Sequence, residues 1–84
     1  MSYEIEWTAS ALRELRGLDM QTGRKIAVAV AALGTDPRPP GCRAPAGVMG
    51  IRIGDHRVVY QVEDSRILVT VVRVAHRREV YRTV

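Results

Sequence analysis

The sequence predicts an α+β domain: a small antiparallel β-sheet packed against a two-helix hairpin, in the order β-α-α-β-β-β with a short basic C-terminal tail. Three observations carry this reading. Ser2 to Trp7 alternates apolar and acidic residues, the pattern of a half-buried strand. Two segments with apolar residues at helical spacing follow it, each behind a capping residue. Three β-branched runs then occupy the second half, the first two joined by a Gly54-Asp55 pair.

In the first strand Tyr3, Ile5 and Trp7 share one face, and Glu4 and Glu6 the other. Thr8 is placed to cap a helix whose stripe is Ala11, Leu12, Leu15 and Leu18, with Gly17 near its end. Asp19 offers a second cap, and Ile26, Ala29, Val30 and Leu33 continue the 3.6-residue period to Gly34. Gly23 in the first turns of this helix weakens it by up to about 1 kcal/mol relative to Ala. Thr35 to Gly47 contains Asp36-Pro37, Pro39-Pro40-Gly41 and Pro45-Ala46-Gly47, a density that excludes regular structure. It connects two parts of one domain, since neither flank can bury a core alone.

Val48 to Ile53 and Arg57 to Val62 read as a β-hairpin, because Gly-Asp between alternating β-branched runs is a two-residue turn signal. Glu63-Asp64-Ser65 makes a polar turn. Ile67 to Val74, nearly continuous in apolar β-branched residues, has the composition of a central strand buried on both faces. His76 to Arg82 closes the chain as a basic tail with some helical potential.

Eighty-four residues make a single domain spanning 1–84, with a small core built without Phe. The formal net charge of +4 is unevenly distributed. Residues 1–42 hold five basic and five acidic side chains, whereas residues 43–84 hold eight arginines against four acids. The excess therefore lies in the half that carries the hairpin, and Lys25 is the single lysine. Arginine suits planar, bidentate phosphate recognition. Arg52 and Arg57 flank the hairpin turn on adjacent strands, an arrangement able to hold an anionic group in a fixed place. Cys42 is the only cysteine, which excludes an intrachain disulfide and a cysteine-based zinc site. No apolar leader, membrane-length stretch, P-loop, nucleophile elbow or dinucleotide fingerprint is present, and a cytoplasmic location without membrane association or cofactor is expected.

Trp7 closing the first strand, A-L-R-E-L-R-G-L, L-G-T-D-P, R-I-G-D-H-R-V-V-Y-Q-V and V-A-H-R-R-E-V-Y together resemble the RelE/ParE superfamily of toxin–antitoxin toxins, its RelE branch more closely. The similarity covers essentially the whole chain. It implies a RelE-like fold of the microbial ribonuclease type and a ribosome-dependent endoribonuclease that cleaves mRNA and inhibits translation. It also implies a cognate antitoxin that wraps and neutralises the toxin. On the matching positions, the resemblance carries over Arg57 after the hairpin turn, Arg77 after the last strand, Tyr81 near the C-terminus, and Arg52 on the preceding strand. Two positions depart from the family pattern: Gly50 stands where a basic residue is common, and His56 where an aromatic one is.

Metal-free RNA cleavage requires a proton acceptor at the attacking 2′-oxygen, cations around the phosphorane, and a donor to the leaving 5′-oxygen. Arginine serves the second task and not the first, because a guanidinium rarely gives up its proton. Arg57 and Arg77 are accordingly assigned to transition-state stabilisation and Arg52 to phosphate binding. Tyr81 is assigned to base stacking or proton transfer. His76 is a secondary proton-transfer candidate, while His56 at the turn fits a structural role. Arg43, Arg73 and Arg78 add general attraction for RNA. Two other readings use the same fold: a ParE-like, non-enzymatic gyrase inhibitor, and an inactive toxin-fold binding module.

Overall fold

The computed structural model describes residues 2–40, 42 and 48–76. Strand β1 (Glu4–Trp7) leads into helix α1 (Ala9–Arg16) and helix α2 (Met20–Leu33), followed by β2 (Met49–Ile53), β3 (His56–Glu63) and β4 (Leu68–His76). A single 3-10 turn, Asp64–Arg66, separates β3 from β4. The α+β class and the element order match the reading of the sequence.

The sheet has the order β1-β4-β3-β2, which puts β4 at its centre as its composition requires. The β2–β3 and β3–β4 pairs are antiparallel, but β1 pairs with β4 in parallel, Glu4 opposite Leu68 through Trp7 opposite Val71. The sheet is thus mixed rather than wholly antiparallel. The physical reason is the helical crossover: a long connection over one face lets the chain return in its original direction, which a tight turn cannot do.

Both caps form. The Thr8 hydroxyl accepts from the Ala11 N–H at 3.1 Å, and an Asp19 carboxylate oxygen accepts from the Thr22 N–H at 3.2 Å. Helix α1 stops at Arg16, one residue before Gly17, and α2 runs unbroken through Gly23 to Leu33. The next residue, Gly34, is fixed by a close approach. Its carbonyl accepts from the Tyr3 N–H at 2.7 Å, and a Cβ there would come 3.1 Å from the Tyr3 carbonyl oxygen.

The helices cover one sheet face. Ala11, Ile26, Val30 and Leu33 meet Val58, Tyr60, Val69, Val71 and Val74, all buried, with Ile5, Trp7, Leu15, Leu18, Met49, Ile51 and Ile53 packed around them. A register shift lies between Val59 and Tyr60: Val59 faces Arg73, but Tyr60 faces Val71, leaving Val72 as the extra residue on β4. This bulge re-phases the strand, so Val71 and Val74 both point into the core although three positions apart.

Ile67, expected to open the last strand, instead precedes it. It adopts φ 50°, ψ 52° after the 3-10 turn, a costly conformation for a β-branched residue. Its carbonyl accepts the Glu4 N–H at 2.9 Å, so the turn is tied to the start of β1. Beside it, Asp64 accepts from both terminal nitrogens of Arg38, at 3.1 and 3.0 Å, and from the Tyr3 hydroxyl at 2.7 Å. Those bonds hold the Asp64 carboxyl below its ordinary range, the Arg38 contribution being the larger.

Tyr60 anchors the connector from within. Its ring is buried, and its hydroxyl donates to the Pro37 carbonyl at 2.7 Å. Desolvation pushes its pKa up to about 12, with smaller effects from Cys42, Arg38 and Asp36. Because the folded chain then holds this proton more tightly than the unfolded chain, Tyr60 contributes stability that is fully present below about pH 10. That stability is lost as pH rises from about 10 to about 12. Tyr60→Phe is expected to lower stability at pH 7 by about 1–2 kcal/mol by orphaning the Pro37 carbonyl. Urea unfolding checks this, and the variant should lose less stability than the parent chain between pH 10 and 12.

Candidate functional site

The hairpin is built by its turn. Gly54 has φ +59°, while Asp55 is not among the positive-φ residues, the arrangement of a turn that requires Gly at its first central position. Two turn residues fix the register: Ile53 faces His56 and Arg52 faces Arg57. Arg52 and Arg57 therefore project from directly opposed positions on the sheet face away from the helices, since Ile51, Val58 and Tyr60 take the core side.

Their environments differ. Arg52 is exposed and its Nε donates to the Gly54 carbonyl at 3.3 Å. Arg57 is partly buried and lies over Gly50: a Cβ at residue 50 would sit 3.5 Å from Arg57 Nη1 and 3.8 Å from its Cδ. The Arg57 side chain thus lies over Gly50, within ordinary contact distance of a Cβ there. Two guanidinium groups on one rigid hairpin, with no carboxylate bridging either among the described ion pairs, form a fork for an anion.

Arg73 stands opposite Val59, on the Arg57 face by register. Its guanidinium engages Glu14 of α1, with Nε and Nη2 at 3.2 and 2.6 Å from Oε2. The other Glu14 oxygen accepts the Val74 N–H at 2.9 Å. Partial burial pushes the Glu14 carboxyl up, but Arg73 and the Val74 N–H together outweigh this and hold it below its ordinary value. This link was not legible in the sequence: fifty-nine positions separate the partners, and no local pattern marks them.

His76 is in register with His56 and not with the arginines. The two rings meet edge-to-face with centroids 5.2 Å apart, on the core side of the sheet at the hairpin end. Arg43, Arg77, Arg78 and Tyr81 lie outside the described residues. Of the candidate residues, the structure therefore brings Arg52 and Arg57 together, engages Arg73 with Glu14, and places His76 across the sheet from the arginine pair.

A family model described as "ParE toxin of type II toxin-antitoxin system, parDE" matches residues 5–81. The chain belongs to the RelE/ParE superfamily of type II toxins. Toxin RelG of Mycobacterium tuberculosis is 30% identical over 86 residues, covering 98% of this chain and 99% of that one. Among solved structures, the RelBE2 toxin–antitoxin complex of the same organism contains a chain 26% identical to this RelE/ParE toxin. It superposes with a TM-score of 0.79 over 92% of this chain and 100% of that one. The isolated Escherichia coli RelE toxin, 22% identical, shares the fold with a TM-score of 0.78 over 99% of this chain and 100% of that one. Among the described residues, no helix of the toxin is long and apolar enough to cross a membrane.

Two outcomes test this geometry. Glu14→Ala should cost about 1–3 kcal/mol, because the Val74 N–H loses its acceptor, while Glu14→Gln, which keeps a carbonyl oxygen, should cost less. With its carboxyl depressed in the folded state, Glu14 contributes fully above the ordinary Glu value of about 4.3, and the contribution disappears as pH falls below it. Urea unfolding from pH 7 to pH 3 reads both effects. Arg52→Gln removes a like-charge opposition and should raise stability by roughly 0.2–1 kcal/mol at low salt. The gain should shrink in 0.5 M NaCl, where charges about 4 Å or more apart are largely screened.

Proposed function

We propose that this toxin is a ribosome-dependent mRNA endoribonuclease, acting in the cytoplasm and neutralised by a cognate antitoxin. The observation that carries the reading is the opposed Arg52–Arg57 pair on the outer sheet face, with Arg57 lying over Gly50. Folding gains nothing from two cations held opposite each other; an RNA phosphate does. Family membership and the similarity to Toxin RelG support the toxin assignment, and the toxin–antitoxin complex that contains a similar chain supports a partner antitoxin.

In the proposed mechanism Arg52 binds a non-bridging oxygen of the scissile phosphate. Arg57 and Arg77 stabilise the charge that grows on the phosphorane as the ribose 2′-hydroxyl attacks. Tyr81 stacks on a base or moves a proton, whereas His76, a proton-transfer candidate on its sequence, lies on the sheet face opposite the arginine pair and takes no part in this scheme. Attack by the 2′-oxygen breaks the phosphorus–5′-oxygen bond and leaves a cyclic phosphate, with the proton passing to the departing 5′-oxygen. Arg43 and Arg78 contribute attraction to the nucleic acid, whereas Arg73, held by Glu14, serves more to fix β4 than to grip substrate. Codon choice on this scheme comes from the ribosomal decoding site.

The ParE-like alternative, a non-enzymatic gyrase inhibitor, is favoured by two features: a glycine stands at position 50, and the family model that matches is that of the ParE toxins. One experiment separates the two. In single-turnover assays on programmed ribosomes the toxin should cut mRNA at the decoding site, and Arg57→Ala and Arg77→Ala should each slow cleavage at least tenfold with ribosome binding nearly unchanged. Intact mRNA together with a DNA-damage response on expression would establish the gyrase reading instead. Unchanged cleavage by Arg57→Ala would remove the fork from the mechanism.

A further inference from the structure

We propose that His56 and His76 form a cross-strand, two-imidazole binding site for a borderline divalent metal ion of the Zn²⁺ or Ni²⁺ class. The site lies on the core-side face at the hairpin end of the sheet, opposite the arginine fork, and is independent of the proposed nuclease chemistry.

The ladder geometry argues for it. His56 opens β3 and His76 ends β4, directly opposite one another. In an antiparallel pair, facing residues alternate between those that exchange backbone hydrogen bonds and those that do not, and the second kind bring their side chains closest. The Val74 N–H points away from β3, to Glu14. Val58–Val74 is therefore a pair without inter-strand bonds, and two residues further along His56–His76 is another. The two-residue turn requires the same phase, since Ile53–His56 closes the hairpin with its bonds directed towards β2. Such pairs place Cβ atoms about 4.5–5.5 Å apart, and the rings already touch with centroids 5.2 Å apart. From there, rotation about side-chain torsions can aim one nitrogen of each ring at a common ion at about 2.0–2.1 Å.

The chemistry of the donors sets the class of ion. Neutral imidazole suits Zn²⁺, Ni²⁺ and Cu²⁺ and discriminates against Mg²⁺ and Ca²⁺, which prefer oxygen. Among the described residues no third His, Cys, Asp or Glu completes a cluster with this pair, so water fills the remaining positions and the affinity expected is micromolar rather than that of a four-ligand structural site. Both imidazoles are only partly buried, which leaves an ion a path from solvent. A bound ion would clip the start of β3 to the end of β4.

The test is simple because the chain contains two histidines and one cysteine. Tag-free protein carrying Cys42→Ser is titrated with ZnCl₂, by calorimetry and by NMR of the imidazole ring signals. The expected result is one ion per chain, both sets of ring signals moving together, and a tenfold or greater loss of affinity in His56→Gln and in His76→Gln. MgCl₂ should leave the ring signals in place. Absence of saturable binding below 1 mM, or binding that survives either substitution unchanged in variants whose amide spectrum shows the native fold, overturns the proposal.

Discussion

The structure depends on how the unpaired edge of β4 is satisfied. This strand runs for nine residues, but β1 covers only Leu68 to Val71. Backbone groups beyond that point would be left without partners, a cost comparable to a lost hydrogen bond for each buried group. Helix α1 takes over where β1 stops. The Thr8 N–H donates to the Val71 carbonyl at 3.0 Å, the Thr8 hydroxyl donates to the Val72 carbonyl at 2.9 Å, and Glu14 accepts the Val74 N–H. Thr8 also accepts the Ala11 N–H, so one hydroxyl both starts the helix and docks it on the strand. The hinge between strand and helix is therefore set by the sheet it completes.

That docking coincides with the bulge at Val72. Without an extra residue, strict alternation would send Val71 and Arg73 to one face and push a guanidinium towards Ile26 and Val30. With it, Val71 and Val74 face the helices while Arg73 reaches Glu14 at the edge. The bulge thus converts an uninterrupted V-T-V-V-R-V run into a strand with a dry face and a face that carries charge. At the other end of the sheet, Tyr60 and the Tyr3–Asp64–Arg38 bonds tie the connector after α2 to the turn between β3 and β4. Polar contacts at both ends frame a core in which β-branched side chains pack around Tyr60 and Leu33.

Local signals in the sequence account for much of this. The hairpin was legible because Gly54-Asp55 encodes both a turn and a register, which places Arg52 opposite Arg57. The caps at Thr8 and Asp19 were legible for the same reason, as was the central position of β4 from its apolar composition. The direction of β1 was not, because alternation reports which face a residue takes and carries no information on polarity against a distant neighbour. Nor was the bulge, since V-T-V-V-R-V looks equally regular with or without it. Ile67 in a left-handed conformation breaks the rule that β-branched residues extend, the turn geometry overriding local preference. Glu14 was invisible as a functional partner because its role exists only once the fold brings α1 beside β4.

The hairpin shows where stability and function part. Opposed like charges on neighbouring strands are unfavourable, and Gly50 replaces a residue that could pack across the sheet with one that contributes flexibility to the unfolded chain. Both choices weaken the free domain, and both converge on Arg57. Its side chain lies over Gly50, at ordinary contact distance from where a Cβ would sit. A side chain lying against the sheet in this way has less ordering entropy to lose to an anion than one extended into solvent. Salt bridges elsewhere follow the opposite logic: Arg38 and Arg73 are held by Asp64 and Glu14, each already neutralised by its own chain. The charge still open to a phosphate on the described sheet is therefore concentrated at Arg52 and Arg57, beside the Gly54-Asp55 turn.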